Sequence, residues 1–386
     1  MLRYVTAGES HGKELTVILE GLPAGLTLSA EDINKDLQRR QQGFGRGARM
    51  KIEKDAVEFT AGVRQGETIG SPVCMTIKNY DWDNWKHIMS AVKEDFDQKV
   101  AQSRPRPGHA DLAAGMKYDR HDLRDILERA SARETAARVA CGAACKQLLK
   151  EFGITVYSFT REIGDAKASL EGLTPEEIMA RTESSQVRTP DAAAEKKMMD
   201  YIARAEADGD TAGGIFTVVA RGVKAGLGNH TQWDLKLDAN IAMGLMSVQA
   251  VKGVEFGLGF EYGQRRGSVS HDEIFHSSEI GYYRNSNHAG GIEGGISNGE
   301  DIVVSCVMKP IPSLKKPMRS VNILTKEANA AEAVRSDVCA VPAAGVIGEA
   351  VVAFALAASC REKFGGDSLR EMKRNFEGYV QQIKAY

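Results

Sequence analysis

Two histidines in this sequence stand beside glycine and close to arginine. His11 lies in the stretch GESHG at residues 8–12, and His109 follows Gly108 in SRPRPGHAD at residues 103–111. Imidazoles titrate near neutral pH, so they act as general acids, general bases or phosphate partners. Either histidine alone is explained as well by a structural role, but the pair together favours chemistry.

Arginines alternate with glycines in LQRRQQGFGRGARMK, residues 37–51, which contains Arg40, Arg46 and Arg49. Glycine lets the backbone approach a ligand, and guanidinium groups bind phosphate or carboxylate through paired hydrogen bonds. The pattern predicts an anion-binding loop. A solvated basic loop and an RNA-binding Arg-Gly segment are the alternatives at this point.

A third stretch, RASARETAARVA at residues 129–140, combines a helix start with arginine. Ser131 and Glu134 have the spacing of a capping box, and Arg133 falls in the first helical turn. A cation there is unfavourable unless an anion shares the site, so the pattern indicates a bound phosphate or carboxylate. The alternative is an ion pair of the arginine with Glu134 or Glu128.

The fourth stretch, VRSDVCAVPAAGVIGEA at residues 334–350, places Arg335 and Asp337 just before Pro342, the expected first residue of an apolar helix. Asp337 either caps that helix or serves as a positioned base or hydrogen-bond partner.

Composition and missing motifs narrow the chemistry. Fifty Lys and Arg balance 52 Asp and Glu for a net charge of −2, which disfavours a surface that is basic everywhere. The sequence has no phosphate loop, dinucleotide fingerprint, Gly-x-Ser-x-Gly elbow or His-Glu-x-x-His pair. The residue types therefore indicate an enzyme for a phosphorylated, polyanionic small molecule, with two histidines and an aspartate in its site.

Both strands and helices are predicted as the elements that position these residues. Alternating β-branched runs predict antiparallel strands, and a helix from 30 to about 40 is predicted behind Ser29. Further helices are expected at 131–150, 175–182, 191–207 and 340–359. The prediction is an α+β chain forming one large domain over 1–386, with core helices between sheets and glycine-rich loops at 43–49, 208–214 and 281–299.

Six scattered cysteines without a Cys-x-x-Cys pair disfavour a disulfide framework or a zinc site and favour a reducing, cytoplasmic compartment. No signal-peptide pattern opens the sequence. The apolar segment 340–359 carries one charge, Glu349, together with proline and glycines, so a helix buried in protein is preferred over a membrane span.

Taken in order, these stretches resemble the signature of the chorismate synthase family over nearly the whole chain. The motifs are GESHG, RRQQGFGRGARM, RPGHAD, RASARET, AVKGVEFG (250–257), GGISNG (294–299), KPIPS (309–313) and RSDVCAVPAAGVIGEA. Each motif is weakly specific, but eight in the order of the family are strongly so.

The resemblance implies a reaction: anti 1,4-elimination of phosphate from 5-enolpyruvylshikimate 3-phosphate, giving chorismate with no net redox change but with a requirement for reduced FMN. It implies catalytic roles for His11 beside the flavin, His109 beside the leaving phosphate and Asp337 in removal of the C6 proton. It also implies a β-α-β sandwich and a homotetramer. NADPH enters only as a reductant, and a separate flavin reductase is an open partner; no metal, nucleic acid or membrane is implied.

The resemblance further assigns binding residues. Substrate contacts are expected from Arg40, Arg46, Arg49, Arg106, Arg133 and Arg335. FMN contacts are expected from Arg129, Ala130, Ser131, Gln249, Ala250, Gly294, Lys309, Pro310, Ile311, Pro312, Ser313 and Arg335. The rival interpretations are a flavin-independent enzyme for another phosphorylated ligand and a nucleic-acid-binding module, which would bind RNA with steep salt dependence.

Overall fold

The computed structural model describes residues 1–47, 52–93, 101–316, 318–332 and 336–386. One antiparallel sheet of four strands has the order β1-β2-β6-β3. Its strands alternate buried and exposed positions, as expected for a sheet with one face on the core. They are β1 (Arg3–Ala7), β2 (Glu14–Glu20), β3 (Val57–Ala61) and β6 (Val73–Lys78), with a small hairpin of β4 (Val63–Arg64) and β5 (Glu67–Thr68) beside them.

A second antiparallel sheet has five strands in the order β10-β15-β9-β7-β8. Its strands are β7 (Thr155–Ile163), β8 (Ala166–Lys167), β9 (Gly214–Arg221), β10 (Val251–Phe256) and β15 (Ile302–Met308). Three hairpins are β11 (Ile274–Ser277) with β12 (Gly281–Arg284), β13 (Ile292–Glu293) with β14 (Ile296–Ser297), and β16 (Arg319–Val321) with β17 (Ala328–Ala330).

The helices of the described residues lie between and around these sheets. They are α1 (Ala30–Gln41), α2 (Trp82–Met89), α3 (Asp111–Lys117), α4 (Arg124–Ala130), α5 (Thr135–Lys150), α6 (Pro175–Ser184), α7 (Ala192–Ala207), α8 (Leu237–Met246), α9 (Val341–Phe364) and α10 (Leu369–Ala385).

The packing order is sheet, helix, helix, sheet. α5 packs on β2 and β6, α9 packs on β7 and β9, and α5 packs on α9. One continuous hydrophobic core draws residues from Leu2 to Met372. The prediction of an α+β fold with helices between antiparallel sheets is confirmed.

Glycine sets the closeness of the central helix pair. A Cβ built on Gly142 of α5 would lie 2.3 Å from both Cα and Cβ of Ala350 in α9. Since any larger residue would overlap backbone atoms there, the small residues of both helices are required for this approach.

Several local predictions are confirmed. Ser29 caps α1 by accepting a hydrogen bond from the Asp32 amide. The helix predicted at 175 begins there as α6, where Thr174 and Glu177 form a reciprocal capping box, and the helix predicted at 191 begins one residue later as α7, which Asp191 caps. Each signal lies within a few residues of the backbone group that it satisfies, which is why sequence spacing reveals it.

Other local predictions are wrong. Ser131 accepts from the Arg133 amide at the start of a single 3-10 turn, Ala132–Glu134, and α5 begins only at Thr135. The predicted capping box does not form, because the Glu134 carboxylate binds Thr6 and Arg138 instead. The segment predicted as one loop at 281–299 contains β12, β13 and β14.

Among the described residues, α9 is the one helix long and apolar enough to cross a membrane by length and composition. Of its apolar window, 83% is buried inside the protein, between the second sheet and α5.

Candidate active site

The His11 turn connects β1 to β2. Gly8 opens it with a φ of +103°, and a Cβ at that position would lie 2.4 Å from the Glu14 carbonyl oxygen, so only glycine fits. The His11 ring nitrogen Nδ1 lies 2.9 Å from Glu128 Oε1, and the His11 amide donates to Glu128 Oε2 at 2.8 Å. The turn and its histidine are thus held by α4, which is remote in sequence.

His109 has a carboxylate partner of its own. Its Nδ1 lies 2.5 Å from Asp111 Oδ1, and the Arg106 amide and Nε donate to Asp111 Oδ2 at 3.1 and 2.9 Å. Burial alone raises the pKa of Asp111, but hydrogen bonds from His109 and Arg106 hold that pKa well below its usual value. Asp111 is therefore a carboxylate at any physiological pH.

Arg133 does sit beside an anion, and that anion is Asp55. Arg133 Nη1 binds Asp55 Oδ1 at 2.6 Å, and Arg40 Nη1 binds Asp55 Oδ2 at 3.3 Å. Glu53 Oε2 lies a further 3.6 Å from Arg133 Nη2. The predicted partner carboxylates, Glu128 and Glu134, instead bind His11 and Arg138.

The adjacent residues Arg39 and Arg40 have pKa values that are shifted in opposite directions. Burial lowers the pKa of Arg39, but Glu349, Glu183 and Asp36 together raise it well above its ordinary value. Burial lowers the pKa of Arg40 to about 10; Asp55 opposes this, whereas Arg133 and Arg46 add to it. The lowered pKa of Arg40 reflects its burial and its two neighbouring arginines, and the three carboxylates of Asp55, Glu53 and Asp337 balance the three arginine charges of this cluster.

Asp337 does not cap α9: the residue at the cap position is Ala340, which supplies no side-chain bond. Its Oδ1 accepts from the Gly47 amide at 2.6 Å, and its Oδ2 lies 2.9 Å from Arg46 Nη1. The capping interpretation is wrong because the carboxylate is turned towards the glycine-rich loop.

Residues predicted to hold FMN fall into two connected groups. Arg129 donates to the Thr6 carbonyl at 2.9 Å, Ser131 lies 3.2 Å from Ser10, and Ala130 ends α4. In the second group the Lys309 amide donates to the Ala250 carbonyl at 3.0 Å, and Lys309 Nζ donates to the Gly108 carbonyl. Gln249 joins the groups by donating to Glu134, which Thr6 also contacts.

Many of the predicted residues are linked in a series by hydrogen bonds, ion pairs and short connections along the chain, which we call the contact ring. Ser313 binds Arg106 through its hydroxyl and accepts from Ser336 through its carbonyl, next to Asp337. Asn79 binds Arg133 and the Gly12 carbonyl. In order, the contact ring contains Thr6, Glu134, Gln249, Ala250, Lys309, Gly108, His109, Arg106, Ser313, Ser336, Asp337, Arg46, Arg40, Asp55, Arg133, Asn79, Gly12, His11, Glu128 and Arg129. The step from Arg46 to Arg40 is an electrostatic repulsion and not a bond.

The three predicted catalytic side chains remain partly accessible. His11, His109 and Asp337 keep 17%, 14% and 19% of their side-chain surface exposed. Each is therefore fixed by a partner on one side and open to contact on another.

Some predicted residues lie elsewhere. Gly294 is at the exposed turn between β13 and β14 and does not belong to the contact ring. Within the 309–313 stretch, Ile311 accepts from Thr211 through its carbonyl, and Pro310 and Pro312 lie beside Gly213 and Gly108. Arg49 and Arg335 lie outside the described residues.

Sequence reasoning missed the carboxylates that hold the cations. Glu128 and Asp111 orient the two histidines, and Asp55 joins two arginines. Asp111 lies two residues after His109, and Glu128 lies next to Arg129, so both were near the motifs. Trp85, whose ring stacks on His11, gave no signal.

Comparisons with known proteins agree along the full chain. The sequence model of the family described as chorismate synthase matches residues 2–360. A chorismate synthase of Geobacter sulfurreducens is 55% identical over 393 aligned positions, covering 100% of both chains. One of Aquifex aeolicus is 52% identical, covering 100% of this chain and 99% of its own. A crystal structure of chorismate synthase, 44% identical, superposes with a TM-score of 0.81 and covers 100% of this chain and 99% of the other.

The layered α+β fold, with two histidine–carboxylate pairs and several buried arginines in the contact ring, is shared with a family of enzymes, and these relatives are lyases. The Geobacter sulfurreducens relative and the crystal structure both align with 100% of this chain. The chain belongs to the chorismate synthase family.

Proposed function

We propose that this enzyme converts 5-enolpyruvylshikimate 3-phosphate to chorismate by anti 1,4-elimination of phosphate, with reduced FMN bound. The observation that carries the proposal is the contact ring, because it joins the three predicted catalytic residues to the arginine cluster. Enzymes of this family act on a substrate with two carboxylates and a phosphate, and the guanidinium groups of Arg46 and Arg106 in the contact ring suit such a ligand.

The residues present fit a flavin. Gln249 Oε1 is buried and accepts no hydrogen bond from the described residues, whereas a flavin offers ring N–H and ribityl hydroxyl donors. The next residue, Ala250, adopts a φ of +69°, a conformation that is rare outside glycine and that turns its carbonyl towards the Lys309 amide. Arg129, Ser131, Gln249, Ala250 and the 309–313 stretch would hold the cofactor. Reduced FMN, when bound, supplies electron density to an allylic centre that loses phosphate.

The chain itself binds, orients and moves protons. Arg46 is the cluster arginine paired with a partly exposed carboxylate, so we assign it to direct anion contact, with Arg40 and Arg133 supporting the field from inside. We assign His109 and Arg106 to the leaving phosphate, His11 to the proton at the flavin side and Asp337 to the proton lost from C6.

The same proposal includes a cytoplasmic homotetramer that receives its reduced flavin either from a separate reductase or through NADPH. Gel filtration with light scattering would test the tetramer, because the mass of a tetramer is four times the 41.9 kDa of the monomer.

The decisive experiment is anaerobic turnover. Purified protein and 5-enolpyruvylshikimate 3-phosphate are combined with dithionite-reduced FMN, oxidised FMN, or NADPH plus FMN, and chorismate is followed by absorbance. We expect product with reduced FMN and none with oxidised FMN alone. Product with NADPH plus FMN would reveal an intrinsic reductase; no product from folded protein with reduced FMN would overturn the proposal.

Loss of either histidine should remove an acid or base. His11→Ala and His109→Ala are each expected to lower turnover roughly 10²- to 10⁴-fold, the usual range for such a group. The exposed His230→Ala variant is the control and should keep its rate. Near-normal rates in both site variants would reject these assignments while leaving the family membership intact.

A further inference from the structure

The Glu128 carboxylate makes two different contacts with His11. Its side chain is fully buried, with Oε2 accepting from the His11 backbone amide at 2.8 Å. The ring Nδ1 lies 2.9 Å from Oε1 and 3.0 Å from Oε2. The Glu128 carbonyl also accepts from the Ser10 amide at 3.0 Å. One residue of α4 therefore fixes both the turn and one edge of the imidazole.

The face of the imidazole is fixed from a second element. Trp85 of α2 stacks on His11, with ring centroids 3.9 Å apart and planes inclined by 25°. The indole is held in turn by its Nε1 donating to Asp81 at 3.0 Å and by the Arg124 guanidinium 5.2 Å from its ring. Edge and face contacts together leave the imidazole little freedom to rotate.

The charged groups around His11 come from three places. Glu128 and Arg124 belong to α4, where Arg124 Nη1 lies 3.5 Å from Glu128 Oε1. Asp81 precedes α2 and binds Trp85, and Glu9 lies on the His11 turn. Of these, only Glu128 bonds the imidazole, so it decides which ring nitrogen carries hydrogen.

An ionised carboxylate can only accept hydrogen bonds. Nδ1 must therefore carry the hydrogen in neutral His11, and Nε2 keeps a lone pair at the far side of the ring from Glu128. A proton that binds Nε2 gives an imidazolium with both nitrogens protonated, and the same proton leaves again from Nε2.

We propose that Glu128 is the positioning residue that sets the tautomer of His11, with Trp85 setting the plane of its ring, so that Nε2 is the nitrogen that exchanges a proton with bound ligands. This role rests on the proposed function for its catalytic consequence, but the tautomer itself is a property of the protein alone.

Glu128→Gln separates positioning from folding. The glutamine oxygen can still accept from the His11 amide, which preserves the turn, and the side-chain NH₂ then occupies the place of Oε1, opposite Nδ1. The NH₂ group at the Oε1 position donates towards Nδ1, whereas the oxygen at the Oε2 position, 3.0 Å from Nδ1, can still accept from it. The glutamine therefore no longer imposes Nδ1–H, and the Nε2–H tautomer of neutral His11 becomes populated.

Solid-state ¹⁵N spectra of histidine-labelled protein at pH 9 read this directly, with His11 assigned by comparison with His11→Ala. We expect Nδ1–H alone in the original protein and a populated Nε2–H tautomer in Glu128→Gln. Asp125→Asn, an exposed carboxylate on the same helix, is the control and should retain Nδ1–H. Nδ1–H alone in Glu128→Gln and also in Glu128→Leu, whose side chain offers no acceptor, would overturn the proposal.

Kinetics supply the second arm. With reduced FMN, Glu128→Gln should lower kcat by roughly 10-fold or more while substrate KM changes little, because His11 rings with hydrogen on Nε2 cannot take up a proton there in the chemical step. Trp85→Leu should lower kcat roughly 2- to 12-fold, the worth of one aromatic contact, and Trp85→Phe should restore it.

The outcomes remain distinguishable. A normal kcat in Glu128→Gln together with a changed tautomer would overturn the catalytic part of the inference. If the original protein formed no chorismate but the tautomer moved as expected, the proposed function would fail and the positioning role would stand.

Discussion

Asp111 is the carboxylate on which two cations of the site depend. It binds Arg106 through both oxygens and His109 through one. Asp111→Asn would leave the buried Arg106 without a counter-charge, and breaking one side of a buried pair costs about 3–5 kcal/mol. We expect the free energy of urea unfolding at pH 7 to fall by that amount. Glu31→Gln, whose side chain is 84% exposed, should change it by less than about 0.5 kcal/mol.

The same residue predicts a pH dependence. The folded pKa of Asp111 lies below the value of about 3.9 expected in the unfolded chain, since hydrogen bonds from His109 and Arg106 outweigh the opposing effect of burial. Such a group stabilises the fold fully above the unfolded pKa, and this contribution is lost as pH falls towards the folded pKa. The stability difference between original protein and Asp111→Asn should therefore shrink below about pH 4. A difference that stayed constant down to pH 3 would contradict this.

At the scale of elements, the crossing of α5 and α9 sets how closely the two sheets approach. Gly142→Ala would gain up to about 1 kcal/mol of helix propensity, but its Cβ would overlap Ala350 backbone atoms at 2.3–2.4 Å. Overpacking costs about 1–3 kcal/mol or more when backbone must move, so we expect net destabilisation in urea unfolding. Gly378→Ala on α10, where nothing lies within 4 Å, should instead stabilise the protein. Equal effects of both substitutions would refute the packing argument.

Element ends were predictable where cap and capped amide lie within three residues, as at Ser29 and Thr174. The capping box predicted from Ser131 and Glu134 is wrong because Glu134 binds Thr6, 128 residues away. The candidate site behaves in the same way. The histidines and arginines of the site could be predicted from their residue types and neighbours. The contact of Glu128 with His11 joins residues 117 positions apart, and no local spacing encodes such a pairing.

At the scale of the whole molecule, one buried charge cluster joins the layers. Glu349 of α9 binds Arg39 from α1 at 2.8 Å, Lys146 from α5 at 2.6 Å and Ser158 from β7 at 2.7 Å. Burial raises the pKa of Glu349, but Arg39, Lys146 and Arg188 together hold it well below its usual value.

Glu349→Gln should lower the free energy of unfolding by about 3–5 kcal/mol, since three buried or half-buried cations would lose their shared partner. Glu362→Gln on the exposed face of the same helix is the control and should stay within about 0.5 kcal/mol. Urea unfolding at pH 7 measures both, and an equal loss in the two variants would count against a special role for the cluster.

The contact between the Gly47 amide and the Asp337 carboxylate spans 290 positions of the chain. At the roughly 5–20 residues per second of synthesis, Asp337 leaves the ribosome about 15–60 s after Gly47. During that interval Arg46 lacks its carboxylate and the contact ring stays open. A nascent chain can thus complete its first sheet early, yet it becomes a competent enzyme only once its last quarter has been translated.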